Sequence, residues 1–145
     1  MTQILFFHGA TDRLHAALRW LHESWGRRRA ALVYAPRPET AEQLDRLLWM
    51  QPPGSFLPHC RAESPLAGET PIVIAQALEA VGALPHDERI LNLSDELPPG
   101  FARFHELIEI VSTEDSVRLP ARERFRFYRE RGYAIESTDI APGSS

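Results

Sequence analysis

The chain has 145 residues, of which 43% are hydrophobic and 25% charged. That composition suits one globular domain and excludes disorder, collagen-like repeats or a coiled coil as a description of the whole. All 16 basic residues are arginine, set against 20 acids for a net charge of −4. Having no lysine rules out a P-loop lysine, a Schiff base and a lysine general base, and the negative balance argues against coating nucleic acid non-specifically.

No stretch approaches the ~18 consecutive apolar residues of a membrane span. The start, MTQILFFHGATDR, has neither a basic leader region nor a small-residue cleavage site, so no secretory signal is expected. The single cysteine, Cys60, can form no internal disulfide. This fits a reducing compartment, and the expected location is the cytoplasm.

In chain order, residues 4–7 form an apolar run that reads as a buried strand, and His8-Gly9-Ala10-Thr11 reads as a turn. Thr11 or Asp12 can cap a helix to about residue 25, where Leu14, Ala17, Leu18 and Leu21 recur at three and four. Residues 30–34 read as a second strand. Thr40 with Gln43 resembles a capping box for a helix to about Trp49, burying Leu44, Leu47 and Leu48. Residues 51–59, QPPGSFLPH, are too rich in proline for a helix or a central strand. Residues 72–75 and 90–93 read as strands, 101–107 as a short helix, 107–111 as a strand, and 133–140 as a last strand after Gly132.

This alternation predicts an α/β fold: a single Rossmann-like three-layer domain over residues 1–141, with a largely parallel sheet and helices on both faces. Residues 142–145 are expected to be a frayed tail. The eight glycines are scattered and form neither G-x-G-x-x-G nor G-x-x-x-x-G-K-[ST], so the nucleotide-binding loop of such folds is missing. No cofactor and no metal are expected. His15 and His22 lie two helical turns apart, about 10 Å along the axis, too far to share an ion. The neighbouring His59 and Cys60 cannot readily face each other as base and nucleophile, and read as a histidine bonded in a turn and a buried thiol. Trp49, Met50, Phe56 and Leu57 flank or enter the proline-rich loop. By periodicity they seal the core, although aromatics on a rigid loop also make partner anchors.

Residues 118–131 hold six arginines and only two acids, Glu123 and Glu130, a local charge of +4. With ~100° per residue and Ala121 at zero, Arg118, Arg129, Arg122 and Arg126 fall at about 60°, 80°, 100° and 140°, with Phe125 beside them at about 40°. Glu130 and Glu123 fall beyond the stripe, at about 180° and 200°. Four arginines sharing one face with an aromatic at its edge suit a ligand carrying both negative charge and an apolar group.

Three stretches together, LDRLLW…SFLPH over residues 44–59, ILNLS over 90–94 and RLPARERFRFYRERGY over 118–133, resemble the chi subunit of bacterial DNA polymerase III holoenzyme. The resemblance runs over nearly the whole chain in the same order. It implies a noncatalytic clamp-loader accessory protein with a nucleotide-fold-like architecture and no nucleotide site, serving DNA replication. It implies two partners: the psi subunit, contacted through Trp49 and Phe56, and the acidic, phenylalanine-ended C-terminal tail of single-stranded DNA-binding protein. The tail would be held by Arg118, Arg122, Phe125 and Arg126, joined by Arg129 on the same stripe. Contact with DNA would be indirect and contact with membrane absent. Family members commonly carry lysines where this chain has arginines, and Pro120 suggests a helix starting near Leu119 with Arg118 ahead of it.

Two other readings compete. One is a Rossmann-like small-molecule enzyme using His8, Asp12 or His59 in a cleft at the strand ends. The other is direct single-stranded DNA binding by the arginine helix. With no phosphate loop, calorimetry with ATP and magnesium is expected to give no specific heat; micromolar binding would overturn the adaptor reading.

Overall fold

Strand and helix alternate from the start of the chain. The computed structural model describes residues 1–50, 57–78 and 87–142. The elements are β1 (Gln3–Ala10), α1 (Arg13–Gly26), β2 (Ala31–Tyr34), α2 (Pro38–Trp49), β3 (His59–Arg61), β4 (Ile72–Ala75), β5 (Arg89–Asn92), β6 (Glu106–Ser112), α3 (Asp115–Glu130) and β7 (Ile135–Asp139). The strands form one open sheet in the order β3-β4-β2-β5-β6-β1-β7, and every pairing is parallel. The architecture is α/β, as the alternation predicts.

A parallel sheet covered on both faces needs strands that are apolar on both sides. The strands β2, β4 and β5 (ALVY, IVIA and RILN) are buried at every position. Alternate residues divide between two cores. Val33, Ile72, Ile74, Ile108 and Ile110 pack with α1 and α2 on one face. Ile4, Phe6, Leu32, Val73, Leu107 and Val111 pack with α3 on the other.

Several boundaries differ from the sequence expectation. His8, Gly9 and Ala10 continue β1 rather than turning: His8 pairs with both β6 and β7, and beyond the register shift Ala10 still pairs with β6. Gly9 sits at φ +84° at the register shift before Ala10, and a Cβ there would meet the Asp139 carboxylate. The helix α2 starts at Pro38, with Arg37 as a cap residue lacking a side-chain bond, so Thr40 and Gln43 form no capping box. Pro38 suits that first turn, where its missing N–H is not needed. Only Phe101–Arg103 of the expected short helix is helical, as a single 3-10 turn. His59 and Cys60 belong to the edge strand β3, paired with Ile72 and Val73, rather than to a turn. The helix α3 begins at Asp115, upstream of Leu119, and Pro120 lies inside it. The Arg118 N–H already bonds the Glu114 carbonyl at 2.8 Å, so Pro120 drops only one later ladder bond and Arg118 sits on the helix. Residues 51–56 and 143–145, part of the proline-rich loop and most of the expected tail, lie outside the described residues.

Asp12 caps α1, its carboxylate accepting the His15 N–H at 3.0 Å. That bond holds the Asp12 pKa below its ordinary 3.8. A group lowered in the folded state stabilises above its unfolded pKa and loses that contribution as pH falls through the folded one. Asp12→Ala is expected to cost roughly 1 kcal/mol at neutral pH. In urea melts the gap between the two proteins should close on acidification below the ordinary value of 3.8.

A buried polar pair, Glu109 and Asn92, breaks the apolar alternation under α3. Glu109 of β6 is fully buried, paired in register with Phe6 on one side and Asn92 on the other. Arg124 of α3 donates to it through Nε at 2.8 Å and Nη2 at 2.9 Å. The Tyr128 hydroxyl donates at 2.8 Å and Asn92 Nδ2 at 3.1 Å. Burial pulls the Arg124 pKa down, but the bonds and charge of Glu109 outweigh it and the net shift is upward. Burial, then the negative charge of Glu109, pushes Tyr128 well up. Glu109→Leu is expected to destabilise by roughly 3–5 kcal/mol, because it strands the Arg124 charge in the core. Adding Arg124→Leu should recover much of that loss in a double-mutant cycle read by urea unfolding.

Candidate functional site

The helix α3 turns Ala121, Arg124 and Tyr128 into the core, leaving the other arginines of the segment outside. Arg124 therefore leaves the exposed charge of the segment: it is spent on Glu109. Arg118 pairs with Asp115 at 2.6 Å, and Arg126 with Glu123 at 3.3 Å. Among the described residues neither Arg122 nor Arg129 forms an ion pair. The acids are thus less cleanly sorted from the stripe than the helical angles suggest, and within the stripe the arginines without an ion pair are Arg122 and Arg129.

A pocket of about 200 Å³ opens between α3 and the sheet, lined by Phe6, His8, Val111, Arg118, Ala121, Arg122, Phe125 and Ser137. Its floor comes from two successive rows on one face of the sheet: Phe6 lies opposite Ser137, and His8 opposite Val111. Phe125 is half-buried and meets Phe6 edge-to-face at 5.1 Å, a favoured arrangement that fixes the pocket wall. So the structure brings Arg118, Arg122 and Phe125 to one cavity. Arg126 and Arg129 stand outside its lining, exposed along the helix.

A second surface lies at the end of α2. Trp49 and Met50 are 61% and 69% exposed, which corrects the core reading for these two, whereas Leu57 is fully buried. They face outward because Leu44 and Leu48 already occupy the inward positions of α2. The Trp49 ring lies 4.7 Å from that of His59. Phe56 lies outside the described residues.

The residues of the enzyme reading are scattered. His8 is in the α3 pocket, Asp12 caps α1, and His59 is on the opposite edge strand. A cleft of about 700 Å³ sits at the strand C-termini between β2 and β5, where the outgoing connections diverge. None of the three lines it. Its polar groups engage one another: Arg13 donates to the carbonyls of Ile110, Asn92 and Ser94, Arg37 pairs with Asp95 at 3.1 Å, and Tyr34 donates to Glu96. Burial lowers the Arg13 pKa, partly offset by Glu109. Among the described residues no group of three or more His, Cys, Asp or Glu could hold a metal ion, and no helix is long and apolar enough to cross a membrane.

A sequence model of the family described as DNA polymerase III chi subunit, HolC, matches residues 1–136. The chain belongs to the DNA polymerase III chi subunit family. A DNA polymerase III subunit chi from Pseudomonas aeruginosa is 30% identical over 126 residues, covering 86% of this chain and 84% of the relative. That from Escherichia coli (strain K12) is 28% identical over 115 residues, covering 79% and 77%. That from Haemophilus influenzae is 25% identical over 116 residues, covering 80% and 79%.

Within this chi-family fold, sequence reasoning missed the sheet side of the α3 pocket. Alternation in the first apolar run put Ile4 and Phe6 on one face, but His8 read there as part of a turn, and nothing in the pattern says that α3 covers that face. It also missed the Glu109–Arg124 pair, because a carboxylate inside an apolar strand has no local signature of its partner.

Proposed function

We propose that this chain is a noncatalytic adaptor of DNA polymerase III in the bacterial cytoplasm. It joins the clamp loader, through psi, to the acidic C-terminal tail of single-stranded DNA-binding protein. The observation that carries the reading is the α3 pocket. A chain end with carboxylates and a terminal phenylalanine needs guanidinium donors beside a small apolar cavity. Arg118 and Arg122 border a cavity walled by Phe6, Val111, Ala121 and Phe125. Arg126 and Arg129 extend the positive face towards the acids preceding the chain end.

The Trp49–Met50 surface supports the psi contact, because exposed tryptophan is typical of interface anchors. It belongs to the face carrying α2, near the β3 edge, whereas the α3 pocket opens on the other face, near β7. Six strand spacings separate those edges, roughly 25–30 Å. An adaptor gains from that separation, since both partners can dock without competing.

Arg122→Glu is expected to weaken an acidic peptide ending in phenylalanine by roughly 2 kcal/mol, about thirtyfold, as when one member of a charged interface pair is reversed. Deleting only the terminal phenylalanine should cost about 1.5–3 kcal/mol. Arg131→Glu is the control: Arg131 lies over the Phe127 ring at 5.0 Å, away from the pocket, and should show only a weak, salt-screened effect. Fluorescence titration of a labelled peptide reads all three. Equal losses at Arg122 and Arg131 would point to a diffuse basic surface and to direct binding of single-stranded DNA.

A further inference from the structure

We infer that His8, on the sheet, binds the free carboxylate of the chain end held in the α3 pocket, across the cavity from Arg118 and Arg122. The inference rests on the proposed tail-binding reading of that pocket. It goes beyond that reading by fixing the sense in which the chain end lies and by adding a recognition residue that α3 does not supply.

The pocket has a polar end and an aromatic end. Strands β6 and β7 both run parallel to β1, and α3 connects them, so α3 must run back against the strand direction. Earlier residues of α3 therefore lie nearer the strand C-termini. One level is fixed by contact, since the Phe125 and Phe6 rings meet at 5.1 Å. From Phe6 to His8 the strand rises about 6.6 Å. From Phe125 back to Arg122 the helix rises about 4.5 Å, and back to Arg118 about 10.5 Å. His8 thus stands level with the turn between Arg118 and Arg122, and all three line the cavity. The two phenylalanine rings close the other end, where Ser137, in register with Phe6, adds only a small side chain.

The His8 ring is not engaged elsewhere. It is exposed, and among the described residues it forms no hydrogen bond or ion pair. Its register neighbour on β6 is the apolar Val111. Its neighbour on β7, Asp139, accepts the Ala141 N–H at 2.9 Å and stays outside the pocket lining. An imidazole carries at least one N–H whether it is neutral or charged, so His8 can donate to a carboxylate in either state.

These positions set the orientation of the ligand. A terminal phenylalanine carries its ring and its carboxylate on one residue, a span that suits a cavity of about 200 Å³. With the ring against Phe6 and Phe125, where aromatic pairs are favoured, the carboxylate falls between His8 and the two guanidinium groups. Donors from opposite walls then converge on one charged group. A phenylalanine inside a longer chain offers an uncharged carbonyl at that point, which makes weaker hydrogen bonds than a carboxylate. The pocket therefore selects a free chain end.

The test titrates the labelled acidic peptide ending in phenylalanine, as the free acid and as the C-terminal amide, at one pH. The parent is expected to bind the acid about tenfold more tightly than the amide. His8→Leu removes the donor at an exposed site. It should lose about fivefold in affinity for the acid and almost nothing for the amide. His8→Gln keeps an N–H donor and should retain most of the affinity for the acid. Equal losses for acid and amide in His8→Leu would make His8 a packing residue and overturn the inference. An unchanged affinity for the acid in His8→Leu would overturn it too. In both cases the tail reading stands if Arg122→Glu still weakens the acid. If the parent does not bind the acid at all, the tail reading fails and takes the inference with it.

Discussion

The fold depends on where one buried carboxylate is allowed to sit. Glu109 occupies a position that strand alternation reserves for an apolar side chain, and it survives there only because α3 delivers Arg124 and Tyr128 onto it. Asn92 completes the shell from the neighbouring strand. A pair like this adds little net stability over a well-packed apolar trio, but it is costly to break. The effect here is to pin the rotation of α3 on the sheet. With Arg124 fixed inward, Arg118, Arg122 and Phe125 are carried to the pocket mouth, and Arg126 and Arg129 to solvent. The face proposed to bind the acidic tail is thus set from the buried side of the same helix.

The arginines divide by what surrounds them. Arg13, partly buried, and Arg124, buried, are structural: each donates several hydrogen bonds, one to carbonyls at the strand ends and one to a carboxylate. Arg37 and Arg118 meet acids near the surface, where such pairs contribute little to stability and exchange readily with a ligand's carboxylates. An all-arginine chain suits both tasks, because the planar guanidinium can serve several acceptors at once when buried and grip carboxylates in two-pronged fashion when exposed.

Trp49 shows the same logic on the other face of the sheet. Its α2 neighbours Leu44 and Leu48 fill the core, so the indole is left outside, resting on His59 rather than buried among aliphatic side chains. Leu57, close by in sequence, goes fully inward. One local stretch of sequence thus supplies both a core residue, Leu57, and an exposed indole, Trp49.

The sequence by itself determined the α/β class, the strand cores, the apolar stripes of α1 and α2, and the existence of an arginine-rich helix. Those rest on periodicity, and a period of two or of 3.6 residues is a local property. It also placed Phe125 beside Arg122, because residues three apart on a helix are neighbours. Tertiary structure decided the rest. Pairing of His8 with two neighbours and of Ala10 with β6 kept β1 going where local chemistry read a turn. Docking of α3 over β1 made the pocket floor from Phe6, His8 and Val111, residues more than a hundred positions apart in the extreme case. Burial against Glu109 removed Arg124 from the basic face. Each of these depends on which element lands on which, a long-range pairing that no local pattern encodes.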